Sequence, residues 1–446
     1  MHTLRRLFPV MLGFVLLLSA CSPSGNGGNG TPTPFNSILT PAISPASKSP
    51  TPTQDDTCPT PLSSVPGCFT PHQLRVAYGV ESLIEHGFTG KGQTVVDIVS
   101  FGSPTLQQDM DVFDQEYGLP PITIQVISPL DATVKKYDPR HDEQGWAGET
   151  ELDVQIIHAL APDAGIVVLT SPVAETEGTI GLPEFRQLVQ YTIDHHLGSI
   201  VSQSWGASEV TLKDAAGQAE IQKWDALFKQ ATTQQGITFF SSSGDNGATD
   251  YEDLQGRQLS PTATTSFATD DPWVTSVGGT SIRRTGTTVS ETAWPDSGGC
   301  FSTFFPMPDY QKTLPASVQS QFKNRRGVPD VSAAADPETG LAFYFQGGWN
   351  LTGGTSASAP LWAGLMAIAN QKAGRPLGFI NPGLYKLAAS STYTQDFRDI
   401  TVGNNSENKQ GVNVQGYSAG PGWDPVTGLG SPIAEKLIPD LIAALK

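Results

Sequence analysis

Gly-Gly-Thr-Ser-Ala-Ser-Ala-Pro, residues 353 to 360, sets a serine among small residues, the way a nucleophilic hydroxyl is often presented. The two glycines let backbone come close to a bound chain. Ser356 stands where a helix can begin, with Pro360 expected still inside its first turn. Such a hydroxyl needs a base, and histidine is the usual one. Of the seven histidines none lies in a His-Gly-Thr-His setting. The first apolar strand ends Val-Ser-Phe-Gly-Ser-Pro, with no Asp-Ser-Gly or Asp-Thr-Gly. His158 falls on or beside the apolar stripe of Leu152, Ile156 and Ala159 and reads as structural. A Ser/His/Asp triad is poorly supported.

A carboxylate is the alternative base. In Gly-Glu-Thr-Glu-Leu-Asp-Val-Gln-Ile-Ile, Glu149 and Asp153 stand four apart and share a helix face, while Glu151 points elsewhere. They sit at the edge of the stripe formed by Leu152, Ile156, Ala159 and Leu160, and no Lys or Arg occurs in this helix to relieve their repulsion. At the edge of a core that repulsion grows, and one carboxyl keeps its proton to higher pH. The arrangement suits a base with an orienting partner, although a solvated acidic face has the same spacing. A third feature is Phe-Phe-Ser-Ser-Ser-Gly-Asp-Asn-Gly, a strong strand entering a tight loop with Asp245 at its tip. Parallel α/β sheets gather reactive groups at such strand ends, but Asp and Gly are also ordinary turn residues.

The elements that must hold these residues alternate. Gln-Thr-Val-Val-Asp-Ile-Val (93–99), Ile-Thr-Ile-Gln-Val-Ile (122–127), Gly-Ile-Val-Val-Leu-Thr (165–170), Ser-Ile-Val-Ser-Gln (199–203) and Ile-Thr-Phe-Phe-Ser (237–241) read as strands. Between them lie helical patterns at 104–118, 148–162, 182–198 and 219–236. This order predicts one α/β domain around a mainly parallel, buried sheet flanked by helices. The chain of 446 residues, 38% hydrophobic and 15% charged, supplies enough apolar surface for it. Its 43 acidic against 26 basic residues leave no basic footprint for nucleic acid.

Residues 1–20 read as a signal peptide: two arginines, then an apolar stretch from Leu7 to Leu18 too short for a comfortable membrane span. Leu-Ser-Ala-Cys at 18–21 is similar to a bacterial lipobox, which predicts a lipid on Cys21 and a membrane-tethered, exported protein; a plain secretory signal is the alternative. Residues 21–56, rich in Gly, Pro, Ser and Thr, read as a disordered tether. Cys58 and Cys68 bracket a short loop and can close a local disulfide, leaving Cys300 unpaired, but other pairings stay open.

Taken together, the ordered motifs closely resemble the sedolisins, the serine-carboxyl peptidases of family S53, from about Phe69 to the C-terminus. They are QLRVAYG, FGSPTLQQDM, GETELD, SQSWG, SSSGDNG, DPWVTSVGGT, GVPDVSAAADPETG, GGTSASAP and AGPGWDPVTGLGSP. The resemblance implies a subtilisin-like fold over 57–446. It makes Ser356 the nucleophile, Glu149 the general base, Asp153 its orienting carboxylate, and Asp245 the oxyanion donor together with the backbone N–H at Ser356. One structural Ca²⁺ is implied in a C-terminal loop region matching FRDIT and AGPGWDP, held by Asp399 and Asp424 carboxylates and the carbonyls of Ile400, Gly420 and Gly422. The implied activity is acid endopeptidase cleavage of proteins or peptides outside the cell by a monomer. A tripeptidyl exopeptidase, or a non-catalytic surface lipoprotein that keeps the fold, are the alternatives. Many members carry a large amino-terminal pro-domain, whereas a signal and tether are expected here, and Cys300 stands where the family usually has glycine.

Overall fold

Val95, Val96, Ile98 and Val99 are β-branched and wholly buried, as a strand covered on both faces requires. They form β1 (Thr94–Ser100), at the heart of the sheet. The computed structural model describes residues 56–285 and 288–446; the signal, Cys21 and nearly all of the tether lie outside the described residues. After β1 come α1 (Leu106–Tyr117), β2 (Gln125–Ile127), α2 (Glu143–Leu160), β3 (Gly165–Ser171), α3 (Leu182–His195), β4 (Ile200–Gln203), α4 (Ala215–Gln234) and β5 (Thr238–Ser242). The later elements used below are β6 (Thr275–Thr285), β7 (Thr288–Ala293), β8 (Val331–Ala334) and α5 (Thr355–Ala373). Sheet order is β7-β6-β5-β4-β1-β3-β2, with β8 also pairing to β6. All pairings are parallel except that of the edge strand β7. The fold is therefore the subtilisin-like α/β architecture expected, with a mostly parallel central sheet between helices.

Three local expectations need correction. The strand expected over 122–127 shrinks to β2, which pairs only with β3 at the sheet edge and is largely exposed. Helix α2 begins at Glu143, five residues before the expected Gly148, because the Asp138 carboxylate accepts from the N–H groups of Asp142 (3.0 Å) and Glu143 (3.2 Å). Pro360 is the sixth residue of α5 and so lies in its second turn. Having no N–H, it leaves the carbonyl of Ser356 without its helical partner. The Ser204 hydroxyl supplies one, donating to that carbonyl at 3.2 Å.

Two helices carry the candidate chemistry, and a glycine lets them touch. A Cβ at Gly364 of α5 would lie 2.9 Å from Leu160 Cβ and 3.4 Å from the Ile157 carbonyl oxygen of α2. From that crossing, Ser356 lies eight residues back along α5, while Asp153 lies four to seven and Glu149 eight to eleven residues back along α2. At ~1.5 Å per residue Ser356 is displaced about 12 Å and the two carboxyls about 6 to 16 Å in the same sense, so the helices run alongside and deliver both sets of side chains to one end. The Cys58–Cys68 disulfide forms, and Cys300 is a buried free thiol. No helix among the described residues is long and apolar enough to cross a membrane.

Gly364→Val should therefore part the helices. We expect a loss of about 1–3 kcal/mol in urea unfolding from overpacking, with catalytic turnover falling further than the folded fraction accounts for. Unchanged stability and turnover would contradict this account of the crossing.

Candidate active site

Loops leaving the carboxyl ends of β4 and β5 meet the start of α5 around a cleft of about 220 Å³. Its walls include Ser204, Trp205 and Gly206 after β4, Gly244 and Asp245 after β5, and Thr355 and Ser356 at the head of α5. Trp205 is held from behind by Phe185 and Trp224, with ring centroids 5.0 and 5.6 Å away. Ser356 is half-buried at the cleft floor. Asp245 and Ser356 line the cleft, with Glu149 against Ser356 and Asp153 close to Glu149, although the four are spread over more than two hundred positions of sequence.

Glu149 lies beside Ser356. Burial pushes its pKa from 4.5 up to about 8, while the Ser356 hydroxyl favours its ionised form and the charges of Asp245 and Asp97 oppose it. Among the described residues no hydrogen bond of ordinary geometry joins the two, so the pair is loose in the absence of substrate, as catalytic pairs often are. Asp153 is completely buried one turn along α2. Burial raises its pKa well above the ordinary carboxyl value, and the charges of Asp97 and Glu149 raise it further. Ser204 Oγ lies 3.0 Å from Asp153 Oδ1 and 3.2 Å from the Ser356 carbonyl oxygen. One hydroxyl proton cannot serve two acceptors well. The Ser204 proton is therefore divided between Asp153 Oδ1 and the Ser356 carbonyl, while the Asp153 proton faces Asp97.

Asp97 is a third carboxyl that the sequence reading passed over. It occupies the middle of β1, in register with Val168 on one side and Ser202 on the other, and is completely buried. Burial lifts its pKa from 3.8 to about 7, offset in part by Asp153, whose proton favours the ionised form of Asp97. Neither Asp97 oxygen nor Asp153 Oδ2 makes a hydrogen bond of ordinary geometry among the described residues. No cation features among the main influences on this trio. The signal was an acid inside an otherwise apolar strand, Thr-Val-Val-Asp-Ile-Val-Ser.

On the opposite side of Ser356, Asp245 is gripped by Thr355. Its Oδ1 accepts from the backbone N–H (2.7 Å) and hydroxyl (2.9 Å) of Thr355. A Cβ on Gly354 would come within 2.4 Å of Asp245 Oδ2, so glycine is required for the carboxyl to lie this close to the head of α5. Asp245 opens to the cleft. Desolvation raises its pKa and the Thr355 bonds lower it; solvent reaches this residue, so burial acts on it less than on the enclosed trio. The imidazole of His158 is remote from this chemistry, buried with Nε2 3.0 Å from the Pro120 carbonyl oxygen and 3.1 Å from Asp114 Oδ1.

The C-terminal residues proposed from sequence as metal ligands are also neighbours. The Gly422 N–H faces both Asp399 oxygens at 3.1 Å, and Gly420 N–H donates to Asp424 Oδ2 at 3.1 Å. Asp424 Oδ1 accepts from the N–H groups of Val426 (2.8 Å) and Thr427 (2.9 Å). A Cβ on Gly420 or Gly422 would meet nothing within 4 Å, so the loop leaves room beside the two carboxylates. Among the described residues no group of three or more His, Cys, Asp or Glu side chains is placed to hold a metal. Two carboxylates with carbonyl oxygens is a smaller acidic set that still suits a hard cation.

Comparison with known proteins agrees with this geometry. Residues 145–420 match the model of the subtilase family, Peptidase_S8. Kumamolisin of Bacillus sp. (strain MN-32) is 34% identical over 392 residues, covering 85% of this chain and 65% of the relative. Human tripeptidyl-peptidase 1 is 32% identical over 315 residues, covering 67% of this chain and 53% of the relative. The chain thus spans between half and two thirds of the curated relatives it matches. Among solved structures, Pseudomonas sedolisin, a serine-carboxyl proteinase complexed with two molecules of pseudo-iodotyrostatin, superposes with a TM-score of 0.70 at 28% identity, covering 84% of this chain and 98% of that one. With the motif order, the sheet and the site geometry, these likenesses show that the chain belongs to the sedolisin, or serine-carboxyl, peptidases within the subtilase fold.

Proposed function

We propose that this protein is an acid-active endopeptidase in which Ser356 attacks the peptide carbonyl, Glu149 accepts its proton, Asp153 holds Glu149 in place, and Asp245 donates to the developing oxyanion. The observation that carries the reading is that Ser356 and Asp245 line one cleft while Glu149 lies against Ser356 with Asp153 beside it. As Ser356 Oγ bonds to the carbonyl carbon, its proton passes to Glu149 and the carbonyl oxygen gains charge beside Asp245 and the Ser356 backbone N–H. Collapse of the tetrahedral intermediate expels the amine, which takes the proton back from Glu149. Water then repeats the sequence on the acyl-enzyme. Asp153 and Asp97 exchange no bond with substrate; they set the charge state of Glu149.

The cycle needs Glu149 ionised and Asp245 protonated at once. The product of the two populations peaks between their pKa values whichever is higher. Asp245 lies above its usual 3.8 and Glu149 is raised towards about 8, so the optimum falls between these bounds. A protein that works outside the cell, carried there by the amino-terminal signal and tethered through a lipid on Cys21, fits this requirement for acid surroundings. Asp399 and Asp424, with the carbonyls of Ile400, Gly420 and Gly422, would hold a Ca²⁺ that fixes the C-terminal loop. That loop reaches the site: Ser297 Oγ donates to the Val426 carbonyl at 2.8 Å, and Gly298 N–H donates to the Gly244 carbonyl beside Asp245 at 2.8 Å.

Three outcomes test this reading. Digestion of denatured globin should trace a bell with its optimum below pH 7, and Ser356→Ala should lower the rate by at least about 10³-fold; a rate that climbs through neutrality to an alkaline plateau would refute it. Internal cuts in a long peptide, read by mass spectrometry, support an endopeptidase, and a ladder of three-residue steps would replace it with the tripeptidyl alternative. Chelation should lower the melting temperature, with added Ca²⁺ at ~100 times its Kd restoring about 2.7 kcal/mol; a melting temperature indifferent to Ca²⁺, and no bound metal by elemental analysis, would remove the metal.

Stability has its own pH signature. Asp97, Glu149, Glu151 and Glu177 all have folded pKa values raised by burial, to about 7 for Asp97 and about 8 for the others. The folded state therefore holds protons that the unfolded chain releases near pH 4. Their stabilising contribution is complete below the unfolded pKa and is lost as pH rises through 7 to 8. We expect the melting temperature to fall by on the order of 10 °C between pH 4 and pH 8. A melting temperature that rises over this interval would contradict the burial of these groups.

A further inference from the structure

Asn405 is wholly buried, and both ends of its amide and both of its backbone polar groups are in use. It sits at the base of a C-terminal hairpin closed by bridges between Asn404 and Ser418 and between Glu407 and Val414. Its Nδ2 donates to the carbonyls of Ser297 (3.2 Å) and Gly299 (3.1 Å), and its Oδ1 accepts from the N–H of Tyr417 (2.8 Å). Its own N–H donates to the Tyr417 carbonyl (3.1 Å), and its carbonyl accepts from the N–H of Ala248 (2.8 Å). Only this orientation of the amide works, since the reverse would set an oxygen against two carbonyls. The chemistry above does not use Asn405, and nothing in its sequence setting, Gly-Asn-Asn-Ser, marks it out.

We propose that Asn405 is a positioning residue for the oxyanion donor, holding the loop that carries Asp245 at both ends. The inference rests on the peptidase reading above. Asp245 lies between Gly244 and Ala248. At the Ala248 end the hold is direct, through the Asn405 carbonyl, and a Cβ on Gly247 would come within 2.6 Å of that oxygen. At the Gly244 end it runs through residues 297–299. The Asn405 amide spans the two carbonyls that flank Gly298, and the Gly298 N–H donates to the Gly244 carbonyl at 2.8 Å. Close packing leaves this segment little room to tilt. A Cβ on Gly298 would lie 2.0 Å from the Ser243 carbonyl oxygen, and one on Gly299 1.7 Å from that of Pro425. Gly244 in turn donates its N–H to the Thr355 hydroxyl (3.0 Å), the same hydroxyl that Asp245 Oδ1 accepts from, so a shift of Gly244 disturbs the grip on Asp245.

Asn405 touches no reacting atom, so it acts on distance. A donor stabilises an oxyanion only when it stands within about 3 Å of the place where the charge develops, and a displacement of about 1 Å costs on the order of 10²-fold in rate. Without the amide, the Ser297 and Gly299 carbonyls lose its N–H groups, and the segment that steadies Gly244 is free to seek other donors. The ground-state carbonyl carries no such charge, so substrate binding is spared while turnover is not.

The test is a double-mutant cycle on purified protein, read by peptide hydrolysis and by inhibition with a peptide aldehyde. Asn405→Ala should lower kcat about 10- to 100-fold while KM changes less than about twofold, and should weaken aldehyde inhibition by about the same factor as kcat. In an Asp245→Ala background the same substitution should lower kcat less than about threefold, because the donor it positions is already gone. A residue that only stabilises the fold would give equal losses in both backgrounds. Thermal melts check that each variant is folded at the assay temperature. Asn405→Ser keeps a shorter donor, should give an intermediate loss, and carries the cycle if Asn405→Ala fails to fold. Equal losses in the two backgrounds, a loss confined to KM, or unchanged kinetics would overturn the proposal. Equal losses while Asp245→Ala is itself slow would sink this inference alone; an Asp245→Ala enzyme as fast as the parent would sink the oxyanion reading with it.

Discussion

Carboxyl groups crowded into a dry interior cannot all be charged, and the rest of this site follows from that. Asp97, Glu149 and Asp153 lie within mutual reach with no cation prominent among their influences, so burial and repulsion together force protons onto them. A histidine-based site obtains its base near neutrality at little cost. In the proposed mechanism the base is a carboxyl whose readiness depends on where the neighbouring protons sit. Ser204 ties this group to the head of α5, its hydroxyl reaching both Asp153 Oδ1 and the Ser356 carbonyl.

The scaffold supplies this crowding with ordinary means. Strand β1 sets Asp97 in the middle of a parallel sheet, where both neighbouring strands are in register and water is excluded. Gly364 brings α5 against α2 closely enough that residues two turns back along both helices share one end. Pro360, one turn after Ser356, frees the carbonyl that Ser204 takes. Ser356, Glu149 and the buried carboxyls beside it are thus fixed by backbone features that carry no charge.

How much of this could be read from sequence depended on range. Glu149 and Asp153 were legible because a spacing of four is local to one helix, and Asp245 because a strong strand led straight into its loop. Asp97 was not. Its partner is 56 residues away, and strand periodicity alone does not say which buried acid meets which helix; the acid amid valines was the available clue. The early start of α2 escaped because its cap is the side chain of Asp138, placed by a loop without periodic pattern. The link from Pro360 to Ser204 spans over 150 residues and exists only once the two helices and β4 are assembled. Motif order supplied the long-range pairing that periodicity cannot, and it did so only for positions the motifs contain.

The central claim is that a carboxyl on α2, and no imidazole, takes the proton of Ser356. A crystal structure of the protein treated with a peptide aldehyde at acid pH tests it most directly. The expected result is a hemiacetal on Ser356 Oγ, a Glu149 oxygen within hydrogen-bond reach of that Oγ, and Asp245 facing the new hydroxyl. An adduct with Glu149 turned away, with a histidine at Ser356, or formed on another residue would contradict it.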